Sequence, residues 1–384
     1  MAGILSEGQR EVLKNAVADQ LRGIFTDNPL WELERVLGNG AFGITVLLRD
    51  KGAMKFGQLK TGLRKHRRVV LKRAIYRQAG IRDFDNEVNA IWKVKGLAHH
   101  AQVIAATLDV SEYRSKSTQG FRDAFRNLFS PFKNPPTNIF TLMGPYKGPA
   151  ILLEYIENGS MLSFILKVWG QHVVLPNRLL WHWYFCLVRG VCGLVYEQQK
   201  PAEGQPPVTE IIPEDGVTVG LLHGDIASRN IMIGEWQPEV EEHRIAPILK
   251  YIDYGFAAIA NNPAQALREN LFWASTIMLF LINEHAEVLD FDNVARSYKG
   301  IQTYAANIIP ITNGFNPNPH LDEELRDLLA ETMRVNVELR PTLPEVMRRI
   351  QNGMKKQPFE YRFREFEESN VAIEARLRQL LHDA

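Results

Sequence analysis

The spacing of the apolar residues changes along the chain. Residues 31–110 contain short Val, Ile and Leu runs broken by glycines, which is typical of strands, with one helical segment near 83–97. From LPNRLLWHWYFCLVRGVCGLVYEQQ at 175–199 onward, apolar residues recur at helical spacing. Further helical segments are predicted at 6–24, where the pattern is amphipathic, and in the charged tail from 355. The chain must therefore combine a strand-rich part with a mainly helical part that follows it.

Length and composition allow a sizeable core. The 384 residues are 45% hydrophobic, which suits one large two-lobed domain or two ordinary domains. The formal net charge of +1 gives no overall signal for nucleic acid or membranes. The longest strongly apolar run, LFWASTIMLFLI, has about twelve residues and is too short to cross a bilayer. We expect a globular protein with no membrane partner.

The cysteines and the N-terminal sequence indicate a compartment. Cys186 and Cys192 are six residues apart in an apolar helical stretch, so they lie on different helix faces. This favours buried free thiols in a reducing compartment over a disulfide. The N-terminal MAGILSEGQREVLKNAV lacks the basic region and long apolar core of a signal peptide. We expect a cytoplasmic location, with the nucleus as the alternative.

A glycine-rich turn lies between two predicted strands, in VLGNGAFGITVLL. Its glycines, Gly38, Gly40 and Gly43, would let backbone amides approach phosphate oxygens. No helix signal follows directly, which argues against a dinucleotide-binding βαβ unit. Alone, such a turn is more often only a turn.

A lysine and an acid form the next candidate pair. Lys72 lies within the β-forming run RRVVLKRAI, where burial requires an acidic partner. Glu87 is the candidate, because Val88 and Ile91 place it beside the apolar stripe of a helix. Taken singly, each residue could equally be solvated.

Three oxygen-bearing side chains follow strand-like runs in LLHGDIASRNIMI and LKYIDYGFA. Asp225, Asn230 and Asp253 offer the hard ligands that Mg²⁺ prefers and commonly shares with phosphates. A carboxylate within reach of a hydroxyl could accept its proton during phosphoryl transfer.

In sequence order, GNGAFG, VVLK, Glu87, ILLEYIENGSML, HGDIASRN, DYG and RPTLPEV resemble the signature of the eukaryotic protein kinase fold over 31–352. The resemblance implies an α+β, two-lobed fold. The β-rich N-lobe would span about 31–153 and the helical C-lobe about 157–352, with ATP between them. Residues 1–30 would form an N-terminal helical extension and 353–384 a C-terminal helical tail.

The same resemblance implies a role for each candidate residue. Lys72 would hold the α- and β-phosphates of ATP and pair with Glu87, Asp225 would be the catalytic base, and Asn230 and Asp253 would bind Mg²⁺. The remaining cofactor-binding positions would lie in the glycine-rich turn, around the adenine and in the segment joining the lobes: Gly38, Gly40, Gly43, Thr45, Val70, Leu153, Glu154 and Ile156. Leu153 would lie at the back of the adenine pocket, with backbone groups of Glu154 and Ile156 at the adenine edge. Thr45 and Val70 differ from the usual Val and Ala, so we expect an altered fit to adenine.

Arg229 bears on the acceptor. Serine/threonine kinases usually have Lys two residues after the base, and tyrosine kinases have Arg four residues after it; this chain has Ala227 and Arg229. The local pattern is similar to the tyrosine-kinase arrangement, and Arg229 could neutralise charge on the transferred phosphate. A surface Arg that pairs with a neighbouring carboxylate is the alternative.

The chain departs from the kinase pattern after DYG. Gly224 replaces the arginine that commonly binds a phosphorylated activation loop. The segment after DYGFA is short and lacks the Ala-Pro-Glu element, and no Ser, Thr or Tyr lies between Gly255 and Trp273. We therefore expect activity that is independent of phosphorylation there.

Two supporting positions need replacements. Arg340 would ordinarily pair with the missing Glu, and Glu269 is the candidate partner. No Asp lies two residues before Trp273, where the family has one that braces the catalytic loop, so Asn270 or Glu269 should substitute.

Insertions lengthen several connections, and the first, at 50–68, lies between the second and third predicted strands of the kinase-like pattern. Residues 51–82 contain eleven Lys or Arg and no acid, so this basic loop could attract an acidic partner, although a solvated loop is the simpler interpretation. It lacks the interleaved aromatics of a surface that stacks nucleic-acid bases. Further insertions lie at 111–148, 200–219 and 234–245, and the last includes Glu239, Glu241 and Glu242. These acids could bind a basic substrate or the basic loop.

Three functions are compatible with these residues. The leading one is an active protein kinase that uses ATP and Mg²⁺ on an unidentified protein substrate. A small-molecule kinase of the same fold is the second, because HGD and the short segment also occur in antibiotic- and choline-kinase-like relatives. The third is a nucleotide-binding pseudokinase scaffold, although the retained Lys72, Glu87, Asp225, Asn230 and Asp253 argue against it.

Overall fold

A computed structural model of the chain describes residues 7–28, 30–39, 43–51, 68–74, 80–107, 148–202, 205–214, 216–284, 295–311, 314–361 and 364–382. The predictions made on Gly40, on most of the basic loop 51–82 and on residues 111–147 fall outside this range. Within it the protein is α+β, with an antiparallel sheet and eight α-helices.

Five strands form the main sheet in the order β1-β2-β3-β5-β4, and each neighbouring pair is antiparallel. Their bounds are β1 Trp31–Asn39, β2 Gly43–Asp50, β3 Arg68–Ala74, β4 Val103–Thr107 and β5 Ala150–Glu154. Gly43 permits the close approach of β2 to β3, because a Cβ at this position would lie 2.4 Å from the carbonyl oxygen of Arg73.

The two faces of the sheet serve different purposes. On one face, Val46, Val69 and Leu71 pack with Leu21 and Phe25 of helix α1 (Glu7–Thr26) in a core of their own. The amphipathic stretch at 6–24 thus forms a helix that covers the sheet. The side chains that alternate with these three along the strands point to the opposite face of the sheet.

Seven further helices follow α1 within the described residues. Their bounds are α2 Gly80–Val94, α3 Met161–Gly170, α4 Asn177–Val195, α5 Pro263–Ile282, α6 Glu323–Thr332, α7 Leu343–Met354 and α8 Asn370–His382. Nearly every residue of α4 is buried, which explains why apolar residues occur on all sides of this helix. α4 packs between α5 and α7 in the larger core, and both cysteines are buried there as free thiols.

The last helix belongs to the same core. Ile373, Leu377 and Leu380 of α8 are fully buried. Just before α8, the buried carboxylate of Glu368 accepts hydrogen bonds from the backbone N–H groups of Asn177 at 2.7 Å and Arg178 at 2.9 Å, at the start of α4. It therefore satisfies donors that the first turn of a helix leaves unpaired, and its charge suits the positive end of the helix dipole.

Short strand pairs hold the polar loops in place. β6 (Leu221–Leu222) pairs with β9 (Ala258–Ile259), β7 (Ile231–Ile233) with β8 (Leu249–Tyr251), and β10 (Arg296–Tyr298) with β11 (Ile301–Thr303). Residues 223–230 form the connection from β6 to β7, and Asp253 follows β8 by two residues. Among the described helices, none combines the length and apolarity needed to span a membrane.

Candidate active site

The sheet register positions Lys72. It lies opposite Thr45 on β2 and Ile151 on β5, while Val70, two residues earlier, lies opposite Leu153. Cross-strand partners and residues two apart share a face, so these five side chains project from the face opposite α1. The register thus gathers Thr45, Val70 and Leu153, which were predicted to contact adenine, beside the lysine. All three are only half-buried.

Lys72 contacts two carboxylates from separate elements. Its Nζ donates to Glu87 Oε1 at 2.6 Å and to Asp253 Oδ1 at 2.8 Å. Glu87 is buried on α2, where Phe84, Val88 and Ile91 anchor the helix in the larger core. We call Lys72, Glu87 and Asp253 the lysine cluster. It joins β3, α2 and the loop after β8 through one ammonium group.

Burial and charge act against each other in this cluster. Burial lowers the pKa of Lys72, but the carboxylates of Glu87 and Asp253 outweigh it, so the pKa lies above its usual value. Burial raises the pKa of Glu87, and Lys72 offsets this only in part. Burial also raises the pKa of Asp253, but Lys72 lowers it further, so the pKa lies below the usual value. The ammonium and the Asp253 carboxylate therefore stay charged together.

Asp253 has an unusual backbone. Its φ of 63° lies in the left-handed region, which few residues other than Gly adopt and which Asp tolerates better than most. This conformation comes two residues after the end of β8, and Asp253 Oδ1 also accepts from the N–H of Gly255 at 3.4 Å. A strained residue with a charged side chain beside a lysine is a feature that functional sites often show.

The loop 223–230 holds Asp225 from two sides. Arg229 donates to Asp225 Oδ1 at 2.5 Å, and Asn230 Nδ2 donates to Oδ2 at 2.8 Å and to the backbone oxygen of Asp225 at 2.9 Å. Asn230 is buried, whereas Arg229 is exposed. The five-residue separation of Asp and Asn thus fixes the carboxylate through a single loop. The contact of Arg229 with Asp225 also agrees with the alternative interpretation, in which Arg229 only forms a surface ion pair.

His223 links this loop to Ile252, the residue before Asp253, a role that the sequence analysis did not assign. It is fully buried, and burial lowers its pKa to about 4 despite the nearby carboxylates of Asp253 and Asp225. The neutral ring can accept from the N–H of Asp225 at Nδ1, at 3.3 Å, and donate from Nε2 to the carbonyl of Ile252 at 3.1 Å. The sequence pattern HGD, which has a polar ring two residues before the acid, could have indicated this role.

Asn270 of α5 braces the loop from behind. Its Nδ2 donates to the carbonyl of Leu221 at 2.9 Å, and its Oδ1 accepts from the N–H of His223 at 3.1 Å. Two residues, Asn270 and Glu269, were the candidates for bracing this loop, and Asn270 is the one that makes the contacts. α5 is itself fixed by a cap, because Asn262 Oδ1 accepts from the N–H of Ala264 just after Pro263 begins the helix.

The departures from the kinase pattern have physical reasons. Gly224 has φ 77°, and a Cβ there would lie 2.3 Å from the carbonyl oxygen of Phe256, so an arginine would not fit without backbone movement. Arg340 donates to the carbonyls of Arg334 and Arg268 and lies over the ring of Phe272 at 4.5 Å. These contacts replace the expected ion pair with Glu269.

The glycine-rich turn and the segment after β5 are described in part. Gly38 lies exposed on β1 opposite Thr45, and Gly43 begins β2. Glu154 donates its N–H to the carbonyl of Gln102 at 3.0 Å, so a backbone contact from Glu154 to an adenine would need its carbonyl. Its side chain pairs with Lys250 at 2.6 Å, and Ile156 is buried two residues later.

No protein-family model matches the chain, and no curated protein matches it.

Proposed function

We propose that this protein is an ATP- and Mg²⁺-dependent protein kinase that transfers the γ-phosphate of ATP to a protein hydroxyl. The observation that carries the proposal is the lysine cluster, in which Lys72 Nζ lies 2.6 Å from Glu87 and 2.8 Å from Asp253. A charged lysine fixed beside an ionised Asp supports binding of a polyphosphate with its metal ion. In this proposal the main sheet with α2 forms the N-lobe, and the helices from α3 onward form the C-lobe.

Asn230 and Asp253 each have a side-chain oxygen that is not used in the described hydrogen bonds and could bind a Mg²⁺ ion. Asn230 uses Nδ2 for both of its bonds to Asp225, so its Oδ1 remains as a ligand. Both hydrogen bonds of Asp253 in the described structure end on Oδ1, so Oδ2 remains. These are hard oxygen ligands of the kind that Mg²⁺ prefers, and the ion would neutralise charge on the phosphates.

In this proposal Asp225 acts as the base. Arg229 and Asn230 orient its carboxylate, which can accept the proton of an acceptor hydroxyl as that oxygen attacks the γ-phosphate. Arg229 is exposed, and in this proposal its long side chain turns toward the transferred phosphate and offsets its charge. Lys72 orients the α- and β-phosphates, and the half-buried Thr45, Val70 and Leu153 provide an apolar wall for adenine.

Control by phosphorylation of the segment after Gly255 has no chemical basis in this chain. α5 begins at Pro263, and no Ser, Thr or Tyr lies between Gly255 and Trp273, while Tyr254, next to Asp253, is fully buried. We propose that the kinase is active without modification there. Phosphate on this segment, or a strict need for an upstream kinase, would contradict that part of the proposal.

The test is phosphate transfer by the purified full chain with Mg-ATP. ADP release and acceptor mass would be measured with a panel of generic proteins, for wild type, Asp225→Asn and Lys72→Met. Lys299→Met is the matched control, because Lys299 also pairs with two acids, Glu323 and Asp327, but on the surface. We expect transfer in wild type and Lys299→Met, with a loss of about 10²–10⁴-fold in Asp225→Asn.

Other outcomes would redirect the assignment. Transfer only to small alcohols would favour the small-molecule kinase, which the short segment before α5 also supports. Nucleotide binding with no ADP from either panel would favour the pseudokinase. Equal activity in wild type and both site variants would mean that the activity arises elsewhere.

A further inference from the structure

A second buried group of reactive side chains lies away from the proposed active site. His99 follows α2, Cys186 lies in the middle of α4, and His243 ends the short 3-10 turn at 241–243 between β7 and β8. All three are buried, and one candidate ligand atom from each lies within 4.8 Å of the other two. Three segments that are far apart in sequence therefore bring two imidazoles and a thiol together.

The separation of the donor atoms fits a metal ion between them. Cys186 Sγ lies 3.6 Å from His243 Nδ1. A tetrahedral zinc ion with Zn–S of about 2.3 Å and Zn–N of about 2.0–2.1 Å would hold the two atoms roughly 3.6 Å apart. The pair is thus already at the spacing that shared coordination requires.

His99 is oriented as a metal ligand would be. Its Nδ1 donates to Glu210 Oε2 at 2.6 Å, and its Nε2 is buried with no hydrogen-bond partner in the described structure. A buried polar atom without a partner is costly, so it calls for a ligand. A histidine that binds a metal through one nitrogen commonly donates its other N–H to a carboxylate, which fixes the tautomer and the ring.

The charges around the group would suit a divalent cation. Glu210 is fully buried, and its Oε1 also accepts from the backbone N–H of His99 at 2.8 Å. A Cys186 thiolate and the Glu210 carboxylate together carry two negative charges, which a divalent ion would offset inside the core. Arg189 fixes the surroundings, because it donates to the carbonyl of Glu210 and pairs with Glu242, next to His243.

We propose that His99, Cys186 and His243 bind a zinc ion, with solvent in the fourth position and Glu210 as the partner of His99. Two imidazoles and a thiolate select a borderline ion such as zinc over Mg²⁺ or Ca²⁺, which take oxygen ligands. We call His99, Cys186, Glu210 and His243 the thiol cluster. Zinc there would join the segment after α2 to α4 and to the turn at 241–243.

The first test is the metal content of the full chain. Wild type, Cys186→Ala and Cys192→Ala would be purified, equilibrated with buffered zinc and analysed by elemental mass spectrometry. Cys192→Ala is the matched control, since Cys192 is also buried in α4 but lies outside the thiol cluster. We expect close to one zinc per chain in wild type and Cys192→Ala, and loss of most of it in Cys186→Ala. No bound zinc in wild type, or equal zinc in all three, would overturn the proposal.

A second measurement uses the wild-type chain, so it does not depend on how Cys186→Ala folds. Cobalt(II) added to metal-stripped protein should give a thiolate-to-cobalt charge-transfer band and the d–d bands of a tetrahedral ion. The melting temperature should fall on chelation and recover with zinc but not with Mg²⁺. Absence of the thiolate band, together with an unchanged melting temperature, would show that the cluster is only a metal-free hydrogen-bond network.

Discussion

The lysine cluster and the thiol cluster are both groups of buried ionisable side chains, but they differ in what they leave exposed. In the lysine cluster Asp253 is half-buried and Arg229 lies exposed in the neighbouring loop. In the thiol cluster His99, Cys186 and Glu210 are fully buried and His243 almost so. The first can meet a substrate, and the second can meet nothing larger than an ion or a water molecule.

The difference indicates how this protein uses buried charge. Burying an ionisable group costs free energy, so each cluster must have a compensating interaction. The lysine cluster is compensated by its own ion pairs and keeps one acid open for chemistry. The thiol cluster joins four distant segments of the chain and has no route to a reacting molecule. We therefore expect variants of the first to affect catalysis and variants of the second to affect stability.

The largest loss of stability is expected at Glu210. Glu210→Gln leaves the buried His99 without its carboxylate, so the free energy of unfolding should fall by about 3–5 kcal/mol. Denaturant unfolding would measure it, with the exposed pair variant Glu345→Gln as control. Transfer per folded molecule should be unchanged. A cost as small as that of the control would mean that the thiol cluster does not hold the fold together.

Lys72→Met should combine a smaller loss of stability with complete loss of phosphate transfer. Removing the lysine leaves Glu87 buried without a counter-charge, and its pKa is already raised, so protonation should limit the cost to about 2–3 kcal/mol. The surface control Lys299→Met should cost less than about 1 kcal/mol. Retained transfer in Lys72→Met would remove the distinction between the two clusters.

Acid should destabilise the helical core through its neutral histidines. Burial, assisted by Arg178, lowers the pKa of His182 to about 4, from 6.5 in the unfolded chain. Between pH 6.5 and pH 4 the unfolded chain therefore binds more protons than the folded chain. The free energy of unfolding should decrease as the pH is lowered through this range, by about 1.4 kcal/mol per pH unit. Unfolding of His182→Asn should show a shallower slope across this window than wild type, and the exposed His172→Asn should not. Equal slopes in all three proteins would contradict a neutral His182.

Arg229→Gln should have the smallest effect on stability. Its ion pair with Asp225 is exposed, so unfolding should change by less than about 1 kcal/mol. If Arg229 offsets charge on the transferred phosphate, the transfer rate should still fall roughly tenfold, equivalent to about 1.4 kcal/mol. Steady-state rates beside the surface variant Arg376→Gln would show this. An unchanged rate would leave Arg229 as a surface ion pair only.

The sequence predicted the parts of the site that depend on local pattern. The strand around Lys72 and the helix around Glu87 follow from alternation and apolar spacing, and the sheet register then gathers Thr45, Val70 and Leu153 beside the lysine. That Lys72 would contact Asp253 directly was not predicted, because this contact depends on the loop after β8 reaching the sheet.

The thiol cluster could not be predicted in the same way. Its residues come from separate segments with no motif spacing, and His99 and His243 each look ordinary in their local sequence. Glu210 lies in the stretch 200–219, which was predicted to be an insertion, yet it is fully buried. Glu242, considered as a surface acid for a basic substrate, instead pairs with Arg189 of α4. Long-range packing decides these contacts, and single-sequence patterns do not record it.

The cap that Glu368 places on α4 has a practical consequence for dissecting the gene. A fragment that stops at residue 352, the end of the kinase-like signature, would lack both the carboxylate on the first turn of α4 and the three buried side chains of α8. Such a fragment should aggregate or be digested quickly by proteases. Truncations and fusions should therefore keep the chain through His382, with any C-terminal tag joined beyond it.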